Sequence, residues 1–553
     1  MILKDNPVLS RELLVNLRSS RSFILQAAYV SFLGLVVWLA WPSGDGGVTH
    51  VSSGAAQSLF NLFFLGQFFL VAMVAPTFAA GSITGEKERK TYEMLLASPL
   101  EPMTILVGKL LSSLTYLVLL ILSSLPLMIL CFLLGGILLS EIARAYLILI
   151  LAAGTFGLIS VACSSYFSRT SSALVVSYLI ILPLSLVCVA MTRTENTMAR
   201  DFVSIAVLPP WCLTIWTVVA IVVNRRLLRP PDVGSEGKDV MDEEQEMKFA
   251  IGVVIDRDLF PDKLFAPAKR TDLMPDGTNP VLDKELRSEI FSQGTLMLRL
   301  VIQVSMLLSI PLMAFLLFFK PQYAGYYVAY VVTFNMLVGP VFSSGSITQE
   351  RERQTLGLLL TTLLRPGQIV FAKLLAALRV TTVLTFLLTE QLLLAYVLIP
   401  ELRQRWWTLI VFLAIILVTC LATTTIGLLC SSLSRRTAAA MVMTYMTLLV
   451  FFVGPVGTFK FLQGFFPNIS EERLSILTVT SPFSAAFSVE TPAQGDLGST
   501  GSSDPGTQAK LLPVIQQPVW VVFLVLEPVL CLVLYGMTYL AFRWRWWRAG
   551  NVI

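Results

Sequence analysis

Glu86 stands three and four residues before Arg89 and Lys90, the spacing at which side chains meet along one face of a helix. Thr84, two residues earlier, is suited to cap such a helix, and Glu86 in its first turn favours the positive end of the helix dipole. Met94, Leu95 and Leu96 follow. The stretch therefore reads as a short helix with one charged and one apolar face. Its chemistry is recognition, by docking into a cleft on a soluble protein, rather than bond making. A helix lying at the membrane surface with its charges in water is the other reading. The same plan recurs in Thr348, Glu350, Arg353, Leu358, Leu359 and Leu360.

The recurrence is an internal duplication. VAPTFAAGSITGEKERKT, from Val74 to Thr91, aligns with VGPVFSSGSITQERERQT, from Val338 to Thr355, with 11 of 18 positions identical. The repeat extends outward in both directions. Asn6, Pro7, Val8, Leu9, Glu12 and Leu13 return as Asn279, Pro280, Val281, Leu282, Glu285 and Leu286. Cys163, Ser164, Ser165, Arg169, Thr170 and Ala173 return as Cys430, Ser431, Ser432, Arg436, Thr437 and Ala440, and Val175 and Tyr178 return as Val442 and Tyr445.

The elements that carry these residues belong in a bilayer. The chain is 55% hydrophobic and 14% charged, with mean hydropathy +0.76, more apolar surface than a soluble core of this length can hide. Apolar runs long enough to span predict twelve helices. Those of the first half are Phe23 to Trp41, Ala56 to Ala80, Ile105 to Leu134, Ala145 to Tyr166, Ser172 to Thr192 and Phe202 to Val223. Those of the second half are Thr295 to Phe319, Tyr323 to Ser343, Ile369 to Ile399, Trp406 to Cys430, Ala438 to Phe461 and Val519 to Phe542. The expected fold is an all-α polytopic membrane protein in two homologous six-helix halves. With both termini cytoplasmic, about 31 of the 40 basic residues fall on the inside, in accord with the positive-inside rule. The net charge of +5 is thus accounted for by topology, without nucleic acid. No short apolar core with a small-residue cleavage site opens the chain, so the first span is expected to remain as an anchor.

Residues 1–224 are read as the first half, 225–278 as a charged, proline-bearing cytoplasmic linker, and 279–553 as the second half, with a Gly/Ser-rich outside loop near 493–508. Most catalytic chemistry is excluded. His50 is the sole histidine, which removes histidine-based zinc sites and Ser/His triads, and the seven cysteines lie mostly within apolar spans, without paired spacing in an outside loop. A phosphate-binding loop of the form G-x-x-x-x-G-K-[ST] is absent. No catalytic, cofactor-binding or metal-ligating residue is expected, and any ATP would be hydrolysed on another chain.

Inside the spans, ionisable side chains are costly and mark function by default. Glu390 and Glu527 are the candidate translocation-path residues, although Glu390 also sits where it could pair with a base at the outer surface. Pro76 and Pro340, at matching places in the second span of each half, each remove a helical hydrogen bond. They are candidate hinges, or prolines that a membrane helix merely tolerates.

A basic N-terminal segment, two spans, the charged string GEKERKTYEMLLASPLEP and a third span opening at Lys109, repeated as QERERQTLGLLLTTLLRP leading into Lys373, resembles the type-2 ABC transporter permease family. The resemblance covers both halves. It implies a membrane subunit of an ATP-driven exporter in the bacterial inner (plasma) membrane. ATP and Mg would be bound by a separate ATP-binding subunit, present in two copies. It also implies that Glu86, Lys87, Glu88, Arg89 and Thr91, with Glu350, Arg351, Glu352, Arg353 and Thr355, are coupling residues that dock onto that subunit. The second loop departs from the first in carrying Leu356 and Gly357 where the first has Tyr92 and Glu93. A secondary transporter with two six-helix repeats, or a non-transporting scaffold built on the same machinery, are the alternative classes.

Overall fold

The computed structural model describes residues 10, 26–27, 29–31, 33–34, 53–88, 91–92, 94, 97, 102–133, 137–167, 170–192, 206–228, 279–287, 309–311, 313–314, 317, 324–352, 354–465, 474–489 and 518–550. Among them there is no β-strand, and nine helices are long and apolar enough to cross a bilayer. The protein is an all-α polytopic membrane protein. Most of the expected spans Phe23 to Trp41 and Thr295 to Phe319 lies outside the described residues. The chain forms two compact units, one comprising Met1–Leu228 with Val453–Thr478, the other Arg229–Phe452 with Val479–Ile553.

In the first unit, α1 (Ser53–Glu88), α2 (Pro102–Ser123), α3 (Leu125–Leu133), α4 (Leu139–Tyr166), α5 (Thr170–Thr192) and α6 (Leu208–Leu228) follow in order. α1 and α4 form the centre, with α2 and α5 against α1 and α6 against α4. Two expectations are corrected here. α1 runs unbroken through Thr84 to Glu88, so Thr84 caps no new helix; its hydroxyl instead bonds back to the Ala80 carbonyl at 2.7 Å. The third span, expected as one helix, is broken at Ser124 into α2 and α3. Pro126 explains the break, since it lacks the amide that would continue the ladder and sits well only in a first turn. The second unit has Glu390 in place of Pro126, and there the corresponding helix is continuous.

The second unit contains α7 (Pro280–Arg287), α8 (Ala324–Ser343), α9 (Thr348–Glu352), α10 (Leu356–Leu360), α11 (Pro366–Leu398), α12 (Pro400–Arg403), α13 (Trp406–Leu433), α14 (Thr437–Leu448), α16 (Pro482–Phe487) and α17 (Val519–Gly550). α15 (Gly454–Phe465) packs on α1, within the first unit. α8 is the central helix, held by α13 and α11, and α17 lies along α13. Between α14 and α15 the helix widens into a π turn at Leu449–Val453. Pro455 withholds the amide that would bond the Phe451 carbonyl, and Ser481 Oγ donates to the neighbouring Phe452 carbonyl at 2.6 Å.

Small residues let the central helices approach closely, as packing in lipid requires. A Cβ placed on Gly427 of α13 would lie 1.9 Å from Ser343 Oγ and 2.8 Å from Ser343 Cβ, at the end of α8. Gly427→Ala is therefore expected to part α8 from α13 and destabilise the second unit by about 2 kcal/mol. Gly536→Ala, whose Cβ meets nothing within 4 Å, should leave the thermal unfolding midpoint of the detergent-solubilised protein unchanged.

Candidate functional site: a duplicated charged knot

The two strings that recur in each half are bonded to each other. In the first unit Ser164 Oγ, on α4, accepts from the backbone amides of Ile83 (3.2 Å) and Thr84 (2.9 Å). In the second, Ser431 Oγ, on α13, accepts from the amides of Ile347 (3.0 Å) and Thr348 (3.1 Å). One hydroxyl in each unit thus accepts from two buried backbone amides.

The charged residues extend the pattern. Lys87 Nζ donates to the carbonyls of Ser164 (3.2 Å), Ser165 (2.7 Å) and Phe167 (3.0 Å), at the C-terminus of α4. Arg351 does the same for α13, donating to the carbonyls of Ser432 (3.0 Å) and Ser434. A cation is the favoured partner for the exposed carbonyls of a helix end. Glu88 Oε1 accepts from the Thr170 amide at 2.8 Å and so caps α5. Glu352 caps α14, accepting from the Thr437 amide (3.0 Å) and hydroxyl (2.6 Å). Each motif thus ties the end of one helix, α1 or α9, to the turn joining two later ones, α4 to α5 or α13 to α14.

Glu86 and Glu350 fix the segment that follows. Glu86 accepts from the Thr91 hydroxyl and from Lys109 Nζ at 3.0 Å. Glu350 accepts from the Thr355 hydroxyl and pairs with Lys284 (3.1 Å) and Lys373 (3.6 Å). Lys373, 2% exposed, also pairs with Glu285 at 2.7 Å and donates to the Ser346 carbonyl at 2.9 Å. That contact ties in α7, which Asn279 caps through the amides of Val281 (3.0 Å) and Leu282 (3.4 Å) while donating to the Gln368 carbonyl. Arg89 and Arg353 lie outside the described residues.

Described members of the predicted coupling set therefore gather at one end of each unit with many of their bonds made inside the chain. Among the exposed residues of these segments two are large, apolar and equivalent in the repeat. Met94 is 76% exposed and Leu358, its equivalent in the repeat, 72%. Around them Tyr92 packs into a core of Ala79, Ile83, Leu106, Leu158, Val161 and Val223, and Leu356, Leu359 and Leu360 pack against Val281, Ile347 and Ile369. The mismatch of Tyr92 with Leu356 thus conserves an inward-facing apolar residue, while Gly357 meets open space. The outward pair was unmarked in the sequence because Leu95, Leu96, Leu359 and Leu360 are equally apolar.

Pro76 and Pro340 lie within α1 and α8. Beside each, a tyrosine hydroxyl from a neighbouring helix covers the carbonyl three residues earlier: Tyr178 donates to Met73 and Tyr445 to Leu337, both at 2.7 Å. Glu390 is on the exposed face of α11, whereas Glu527 is buried on α17. Among the described residues no group of three or more His, Cys, Asp and Glu is placed to hold a metal ion.

Two related helical units in one membrane chain, each closed at one end by the same charged knot, define a duplicated permease. Residues 10–206 and 238–545 match the model of the ABC-2 family transporter protein, and the chain belongs to that family. Its members are the membrane components of ABC transporters and generally pair with ATP-binding subunits. Neither a search of curated proteins nor a search of solved structures returns a match.

Proposed function

We propose that this chain is the complete membrane part of an ATP-driven exporter, with ATP and Mg bound and hydrolysed by two copies of a separate subunit, one docked at each knot. The observation that carries the reading is the pair Met94 and Leu358. Large apolar side chains at equivalent positions are thrust outward from segments in which Glu86, Lys87 and Glu88, with Glu350, Arg351 and Glu352, are bonded inside the chain. Such residues fit a partner's pocket better than water. The knots are assigned to the cytoplasmic face because the basic residues concentrate there, and the family points to the bacterial inner membrane.

The knots also suggest how force would be transmitted. A push on Met94 or Leu358 acts on a segment tied by Glu86 or Glu350 to the start of the next span. Ser164, Lys87 and Glu88, or their counterparts Ser431, Arg351 and Glu352, tie it to two further helices. ATP-driven closure of the partner would then move the helices of a unit together rather than bend one loop. The test is recovery of an ATP-binding polypeptide with Mg-dependent ATPase activity, stoichiometric with the chain, on purification from native membranes. Purification of the chain alone from membranes that retain its assembly would contradict the reading.

A further inference from the structure

Two cations at the knot of the first unit have no carboxylate partner among the described residues. Arg226, in the last turn of α6, sets its guanidinium over the ring of Tyr166 at the end of α4, with Cζ 5.2 Å from the ring centroid. Lys87 reaches the same turn from α1, since the carbonyls it bonds, those of Ser164, Ser165 and Phe167, flank Tyr166. Its Nζ also lies 5.4 Å from the centroid of the Tyr92 ring. Lys87 and Arg226 are near enough to repel each other. The carboxylates of the knot are engaged elsewhere, Glu86 with Thr91 and Lys109, Glu88 with the Thr170 amide. Among the described residues Arg226 makes no hydrogen bond and no ion pair. Its Nε is enclosed without a partner, and Arg225 beside it is exposed.

An arginine at the end of a membrane helix ordinarily extends its charge into water. Arg226 is instead held against α4, partly enclosed, beside a second cation. The helix that carries it supplies an apolar counterpart. Val218 and Val222 precede Arg226 by eight and four residues, so they share its face of α6, and both are exposed. Ile221, four residues before Arg225, is exposed too. A strip of apolar surface about 12 Å long thus leads along α6 to a guanidinium at its end. Among the described residues α6 is the least buried of the nine candidate spans, so this strip faces lipid.

An acyl chain on the strip with a phosphate at its head matches both surfaces. Phosphate oxygens accept from the planar donors of a guanidinium, which a ring beneath it holds in place. A zwitterionic headgroup would bring its own ammonium toward Lys87 and Arg226, whereas a net anionic one brings only the charge they lack. The second unit is built differently. Leu356 and Leu433 stand where the first unit has Tyr92 and Tyr166, so both rings that face the cations are missing there.

We propose that the first unit binds the phosphate of an anionic phospholipid at Arg226, from the leaflet on the side of the knot, with Arg225 and Lys87 adding positive charge and an acyl chain lying along Val218 and Val222. The site is single, at the first knot only. It rests on the membrane placement of α6 and not on export or on an ATP-binding partner.

Native mass spectrometry of the full chain in detergent, titrated with phosphatidylglycerol or with phosphatidylethanolamine of the same acyl chains, reads the dissociation constant of the first lipid bound. At least tenfold tighter binding of phosphatidylglycerol is the expected result. Arg226→Gln should weaken that binding at least fivefold, and Tyr166→Leu at least threefold. Arg543→Gln, which removes an exposed charge near the end of α17, should leave it unchanged. Glycerol 3-phosphate in tenfold excess should not displace the lipid. Equal affinity of the wild-type chain for the two lipids, undiminished binding in Arg226→Gln, or an equal loss in Arg543→Gln would each overturn the proposal. Displacement by glycerol 3-phosphate would assign the site to a free phosphate and overturn the lipid. The wild-type comparison decides the matter even if an Arg226 variant fails to fold. Because no ATPase takes part, failure here is distinct from failure of the permease reading, which shows as an absent ATP-binding partner.

Discussion

Replacing both Met94 and Leu358 by aspartate is expected to release the ATP-binding subunit, with at least a tenfold drop in the amount recovered with the purified chain. Burying a Met or Leu side chain contributes about 1.5–3 kcal/mol, and a carboxylate in its place meets an apolar pocket without a partner. Each docking point therefore loses at least about one to two orders of magnitude in affinity, at about 1.4 kcal/mol per factor of ten. The permease itself should be spared, because both side chains face away from their unit and exposed substitutions usually change stability by less than about 0.5 kcal/mol. An unchanged thermal midpoint with lost ATPase separates docking from folding. Either single variant should remove one docking point and leave the other, roughly halving recovery.

The second large effect is one of stability. Lys373→Met removes the cation that pairs with Glu285 at 2.7 Å and Glu350 at 3.6 Å, and that donates to the Ser346 carbonyl. Breaking a buried ion pair from one side costs about 3–5 kcal/mol, since the remaining charges stay desolvated. The two carboxylates are partly exposed, at 19% and 14%, so the low end of that range, about 3 kcal/mol, is expected. Lys284, exposed and 3.1 Å from Glu350, answers part of what is left. Adding Glu285→Gln to Lys373→Met should recover about half of the loss, because one of the stranded charges disappears. Thermal unfolding of the two variants measures the difference; equal midpoints for wild type and Lys373→Met would remove the ion pair from the account.

Much of this architecture was legible in the sequence because hydrophobic length reports a membrane helix directly. The matching strings around Glu86 and Glu350 likewise report duplication without any contact being known. The uses of those strings were not legible. Lys87 and Arg351 read as solvent-facing docking charges, yet both cap helix ends about 80 residues away in the chain, and Glu88 and Glu352 do likewise. A signal was present. Ser164 and Thr170 recur together with the charged string, as Ser431 and Thr437, and co-duplication of two distant strings is what mutual contact produces. Local propensity favours a cap at Thr84, whereas α1 runs on to Glu88; the equivalent Thr348 does open a short helix, although Ser164 and Ser431 make the same bonds. The break at Ser124 was readable from Pro126. That Gln391 and not Glu390 is buried on α11 could not be read either, since only the helix packing decides which of two neighbours turns inward.

The pairing of residues inside the knot also changes what a variant means. Alanine at Glu86 or Glu350 disturbs bonds to Thr91 and Lys109, or to Thr355, Lys284 and Lys373, so loss of function there would not distinguish docking from folding. Outward residues make the cleaner probe. The central claim, that the duplicated segments present Met94 and Leu358 to a separate ATP-binding chain, is tested most directly by placing a photo-reactive amino acid at each position and irradiating intact membranes. Adducts of the chain with one ATP-binding polypeptide from both positions, and none from Phe386 on the exposed face of α11, are the predicted result. Adducts from neither position, in a chain that is folded and present in the membrane, would contradict it.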